Sequence, residues 1–189
     1  MKTMKKVLPL VAFALVAVAI VLSFFAGMRI TAAGTSGLYK NVIWGCKEID
    51  VDGNIITIKS LMNVEKVGVS VLPVVGLALM LVGGVGALLV ALLAKKPSAK
   101  WLVLACGVLI LAGAVMQFFI LNAFGRAMVT TVYKEAGITD QAEIEKAVKE
   151  GIENLKKQDP KFVVSTVMGI LGCVGGVAAI GGALLPEKK

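Results

Sequence analysis

Four long runs without one charged side chain dominate this sequence: residues 7–28, 70–94, 101–121 and 162–185. A hydrocarbon core about 30 Å thick is crossed by about 20 helical residues, and each run is long enough to do so. A helix satisfies its own backbone hydrogen bonds in lipid, whereas a strand must close a barrel, and none of the runs has barrel alternation. The expected fold is therefore an all-α membrane protein. It is a four-helix transmembrane bundle over the whole chain, 1–189, with long loops at 29–69 and 122–161. Composition agrees. With 58% hydrophobic residues and a mean hydropathy of +0.88, the chain carries more apolar surface than one soluble core could hide.

Basic residues set the expected orientation. Eight of the 20 lie at Lys2, Lys5, Lys6, Lys95, Lys96, Lys100, Lys188 and Lys189, in three short segments whose one acid is Glu187. The long loops hold the other twelve bases with eleven acids. This asymmetry places both ends and the short link in the cytoplasm and both long loops outside, in the plasma membrane. The net charge of +8 is thus mainly a topology signal, with attraction to anionic lipid second. It does not indicate nucleic acid. The first run also reads as a signal peptide ending at Thr31-Ala32-Ala33. Its apolar stretch exceeds the usual length of such segments, so a retained anchor is expected.

The chemistry is sparse. Histidine is absent, which removes histidine-ligated haem, histidine metal sites and the commonest general base. The three cysteines, Cys46, Cys106 and Cys173, have no metal or CxxC spacing. The deepest strongly polar side chain in a span is Gln117, and proton or ion relays need charge there. Pro9 and Pro73 lie near helix starts, so no span reads as a broken transporter helix. Gly83-Gly84-Val85-Gly86 lacks the Lys-Ser/Thr of a phosphate loop. No catalytic residue, metal ligand or cofactor is expected.

Packing surfaces are better marked. Small residues recur at helical spacing: Ala12, Ala19 and Ala26; Gly76 and Gly83; and Gly172 with Gly176 as a GxxxG pair. Such stripes let helices approach closely in lipid. The glycines of the last run either close a compact bundle or dock another protein. In the first loop, 43–51 and 54–58 flank Asp52-Gly53, a two-residue hairpin turn that sets Ile49 opposite Ile56. The apolar side of that hairpin needs cover, most simply from the outer ends of the helices. Glu48, Asp50, Asp52 and Asn54 weakly resemble a calcium loop but lack its twelve-residue frame. Cys46 stands alone on the oxidising side, as a free thiol or an intermolecular disulfide. The third span is expected to run on to about Glu135 and stop at Gly137. A new helix capped by Asp140, with Glu143 three residues on, then carries Ile144, Ala147, Val148, Ile152 and Leu155 as one apolar stripe. Glu145–Lys149 and Glu153–Lys157 are spaced as ion pairs on its wet side. This extracytoplasmic β-hairpin and amphipathic helix form a cap, either a lid or a surface offered to a partner.

Gly37-Leu38-Tyr39, with Trp44, Cys46 and a hairpin in the first of two outer loops, resembles the first-loop pattern of the claudin-like tetraspan superfamily. The departures are Tyr39 for the family's tryptophan, Val42 where its first cysteine falls, and no second loop cysteine. The resemblance implies four spans with both ends inside. The functional expectation is a non-enzymatic membrane scaffold or accessory subunit. Its partners are the lipid bilayer and another membrane protein or a second copy, bound through Gly172, Gly176, Ile144, Val148, Ile152 and Cys46. The alternative is a small transporter or channel component, which needs a hydrated path between the helices.

Overall fold

The computed structural model describes residues 2–32, 34–93 and 99–185. Lys95, Lys96, Glu187, Lys188 and Lys189, on which much of the orientation argument rests, lie outside the described residues, as does Ala33 of the candidate cleavage site. Four helices are long and apolar enough to cross a membrane: α1 (Lys2–Ser23), α3 (Val71–Leu93), α4 (Ala99–Gln117) and α7 (Val163–Leu184). The chain divides into two compact units. One comprises Met1–Leu22, Val75–Phe118 and Thr166–Lys189; the other comprises Ser23–Val74 and Phe119–Ser165.

The first unit is a helical bundle closed by small residues. A methyl group placed on Gly76 would stand 2.6 Å from the Gly113 carbonyl oxygen, and one on Gly83 would stand 2.6 Å from that of Cys106. The α3 and α4 backbones are therefore in direct contact. Ala12, Val16 and Ala19 of α1 are fully buried, with Val16 against Gly84. Outward positions remain apolar: Val21, Val82, Leu92 and Val177 are all exposed. Gln117 is buried, and its Nε2 donates to the Gly113 carbonyl one turn back on its own helix.

The second unit contains a four-stranded antiparallel sheet in the order β1 (Met28–Ala32), β2 (Thr35–Tyr39), β3 (Glu48–Val51), β4 (Asn54–Thr57). The β3–β4 hairpin has the expected register, Ile49 opposite Ile56. Its turn has φ of 48° at Asp52 and 87° at Gly53, the double left-handed conformation that a type I′ turn requires. The acids of this hairpin serve the fold: Asp50 accepts from the Gly53 amide, and Asp52 accepts from that of Ser36. Strand β3 is shorter than expected because the chain turns at 41–45 with Gly45 at φ 119°. Ile58 leaves β4 to open the short α2 (Ile58–Met62) and is fully buried.

Two helices also differ from the sequence reading. The first helix stops at Ser23, not Met28, because Met28 begins β1. The backbone between is held by Ala26, whose amide bonds back to Ser23 and whose carbonyl accepts from Val42. The third helix also does not continue to Glu135 unbroken. It turns at Phe118–Phe119 and restarts as α5 (Ile120–Glu135), with Gly137 at φ 76° just beyond its end. The Phe118 ring fills the space that a side chain at Gly169 would need.

Helix α6 (Gln141–Lys157) begins at the expected cap, with Asp140 Oδ1 accepting from the Ala142 amide at 2.9 Å, but among the described residues Glu143 does not return a bond as a capping box would. Its stripe packs on α5: Ile152 and Leu155 fill the space above Gly125, and Val129 fills that above Gly151. Thr131 of α5 accepts from the Gly68 amide, and Phe124 is fully buried with its ring edge-on to Tyr39. These contacts tie the helical hairpin α5–α6 to the sheet side of the unit.

Candidate functional site

Five of the six residues expected to bind a partner are engaged within the chain, and the sixth is sealed. A methyl group on Gly172 would meet the Met80 Cε at 2.6 Å and the Ala114 Cβ at 2.7 Å. One on Gly176 would meet Leu111 at 2.6 Å and the Gly107 carbonyl at 3.0 Å. The GxxxG face therefore closes α7 onto α3 and α4 of its own bundle. Ile144 and Val148 are buried at 5% and 2% exposure, and Ile152 lies over Gly125. Cys46 is a free thiol with no exposure whose Sγ donates to the Glu48 carbonyl. An intermolecular disulfide at Cys46 would require that region to open. Burial, the largest cause, pushes its thiol above the ordinary range, and it does the same to the Tyr39 phenol.

The ion pairing of α6 also differs from the expectation drawn from spacing alone. Glu145 takes both branches of the Arg126 guanidinium, with Nη2 at 2.9 Å from Oε2. This fork-to-fork pair links α5 and α6. It raises the arginine above its usual range and holds the glutamate below the usual carboxylate range. Among the described residues no three histidine, cysteine or acidic side chains gather where they could hold a metal ion.

The feature that sequence reasoning missed is a groove of about 450 Å³ in the second unit, lined by Phe24, Phe25, Arg29, Lys40, Lys161 and Val163 among others. Two of its lining residues, Arg29 of β1 and Lys161 just before α7, pair through their backbones. The Arg29 amide donates to the Lys161 carbonyl at 3.0 Å, and the Lys161 amide returns the bond at 2.8 Å. Arg29 lies opposite Leu38 of β2, and Lys40 follows two residues on, so Arg29, Leu38 and Lys40 share one sheet face. Beside them, Trp44 stacks on Phe24 at 5.5 Å and donates from Nε1 to the Ser23 hydroxyl. The sequence held one signal for this: Met28 and Ile30 are buried while Arg29 and Thr31 are exposed, a two-residue period hidden at the end of an apolar run.

Comparison with known proteins finds no family model that matches the chain and no characterised protein similar to it.

Proposed function

We propose that this chain is a non-enzymatic membrane scaffold or accessory subunit. In this reading it resides in the plasma membrane with both termini cytoplasmic and both long loops outside. One observation carries it: the facing glycines bring the four apolar helices together at backbone range, and the apolar runs contain no charged side chain. Such a bundle offers surfaces and no relay. Trp101, exposed beneath Lys100 at the start of α4, fits an aromatic belt at one membrane face.

Because Gly172 and Gly176 are used within the bundle, the partner-facing surface is assigned to the opposite side of α7. There Val167, Ile170, Val174 and Val177 stand exposed at alternating spacings of three and four. That is the seam geometry by which a second transmembrane helix packs. Ile170→Trp and Val174→Trp should abolish co-purification of a membrane partner while leaving the unfolding temperature within a few degrees of wild type. Liposomes containing only the purified protein should show no solute or ion flux above empty controls. Saturable flux would replace this reading with the small-transporter alternative.

A further inference from the structure

The groove at Arg29 has a charge arrangement that the fold alone does not balance. Residues that exchange both backbone bonds in an antiparallel pair project their side chains from the same face, with Cα atoms about 5.5 Å apart. Like charges at such positions destabilise the pair. Arg29 and Lys161 are paired in this way. Lys161 has Asp159 at 4.0 Å, with both side chains largely in solvent, and Lys40 has Asp50 at 3.6 Å. Arg29 has no acidic partner among the described residues, so the groove retains one uncompensated positive charge.

The other wall is apolar and open. Phe24, Phe25 and Val163 are 59%, 70% and 70% exposed. Phe24 directly follows the last residue of α1, and Val163 is the first residue of α7. A ligand complementary to both walls has a singly charged oxyanion beside a hydrocarbon segment. We propose that this groove binds a phospholipid of net negative charge. Its phosphodiester bridges Arg29 and Lys161, and an acyl chain runs over Phe24, Phe25 and Val163. The guanidinium fork suits two phosphate oxygens, and an anion between the two cations converts their repulsion into attraction. A zwitterionic lipid brings the same phosphate but adds a cation against Lys40 and Lys161. The volume falls in the range of small-molecule sites, which suits a headgroup with the first part of one acyl chain. The inference rests on the reading that α1 and α7 cross a membrane.

The test uses the full chain, stripped of lipid in non-ionic detergent, followed by native mass spectrometry and thermal unfolding. Phosphatidylglycerol should be retained and should raise the unfolding temperature. Phosphatidylcholine should bind about tenfold more weakly. Arg29→Gln and Lys161→Gln should each weaken phosphatidylglycerol retention about tenfold, whereas Lys149→Gln should leave it unchanged. Without lipid, both groove variants should unfold at or above the wild-type temperature, because the repulsion is relieved. Arg29→Lys should retain part of the binding. Equal retention of both lipids, or unchanged retention in both groove variants, overturns the proposal. Equal stabilisation by inorganic phosphate overturns its lipid part and leaves a small-anion pocket. Alkaline carbonate extraction examines the membrane reading separately. Release of the protein from membranes refutes spanning, whereas lost lipid selectivity in a protein that stays membrane-bound refutes only this site.

Discussion

Gly76 and Gly113 show how narrowly the bundle is specified at single residues. Each faces the other's backbone carbonyl at a range that admits no side chain. Gly76→Ala should therefore destabilise the protein by about 1–3 kcal/mol through overpacking, as read by thermal unfolding in detergent. Gly181→Ala is the matched control. Nothing lies within 4 Å of its added carbon, so better helix propensity should leave it neutral or slightly stabilised. Gly176→Leu should be worse than either, since the new side chain must displace Leu111 and the Gly107 carbonyl. Cys46 makes a different prediction. As a fully buried thiol with a raised pKa, it should resist maleimide at neutral pH and react fully once the protein is unfolded. Sign and pH window follow from that shift. The buried neutral thiol costs the fold nothing below the ordinary thiol range. Stability falls as pH climbs above that range, because the unfolded chain ionises first.

At the scale of elements, α5 and α6 form the most testable assembly. Loss of the Asp140 cap in Asp140→Ala should cost about 1 kcal/mol, and Ile144→Ala should cost about 2–4 kcal/mol because Ile144 is almost fully buried. The Arg126–Glu145 fork adds a pH dependence. Glu145 titrates below its ordinary value, so its contribution is present above the usual carboxylate range and disappears as pH falls through and below it. Arg126→Ala should flatten that acid limb of a stability-versus-pH curve. What was legible at this scale were features written in neighbouring residues: the Asp52-Gly53 turn with its register, the Asp140 cap, the α6 stripe and the four apolar helices. Strand β1 was hidden because Phe24-Phe25-Ala26-Gly27-Met28 continues the apolar composition of α1, and its one glycine, Gly27, looks no different from the glycines inside the other apolar runs. The turn at Phe118–Phe119 has neither glycine nor proline to mark it. Spacing paired Glu145 with Lys149, which does help to lower its pKa, but tertiary packing supplies the larger partner, Arg126. The groove was illegible for the same reason, since Arg29 and Lys161 become neighbours only in three dimensions.

For the whole molecule, the proposed orientation separates two sets of lysines. A membrane-impermeant amine reagent on intact cells should label Lys47 and Lys149 and spare Lys96. The opposite pattern would invert the orientation and return the loops to the cytoplasm.

The Arg29–Lys161 bridge has a consequence for the order in which the chain is made. The hairpins β1–β2 and β3–β4 join neighbouring residues and can form within about 1–10 μs of emerging. The second edge of β1, which pairs through a single bridge at Arg29, must wait for that bridge until Lys161 has been synthesised, on the order of ten seconds later at 5–20 residues per second. Two of the four apolar helices, α3 and α4, are made in that interval. During it, the residues that leave the ribosome early expose an unpaired strand edge, the kind of template on which other chains pair. Insertion of the later helices is thus also the clock that limits how long that edge stays open. A nascent chain halted before Lys161 should be the species most prone to cross-strand aggregation.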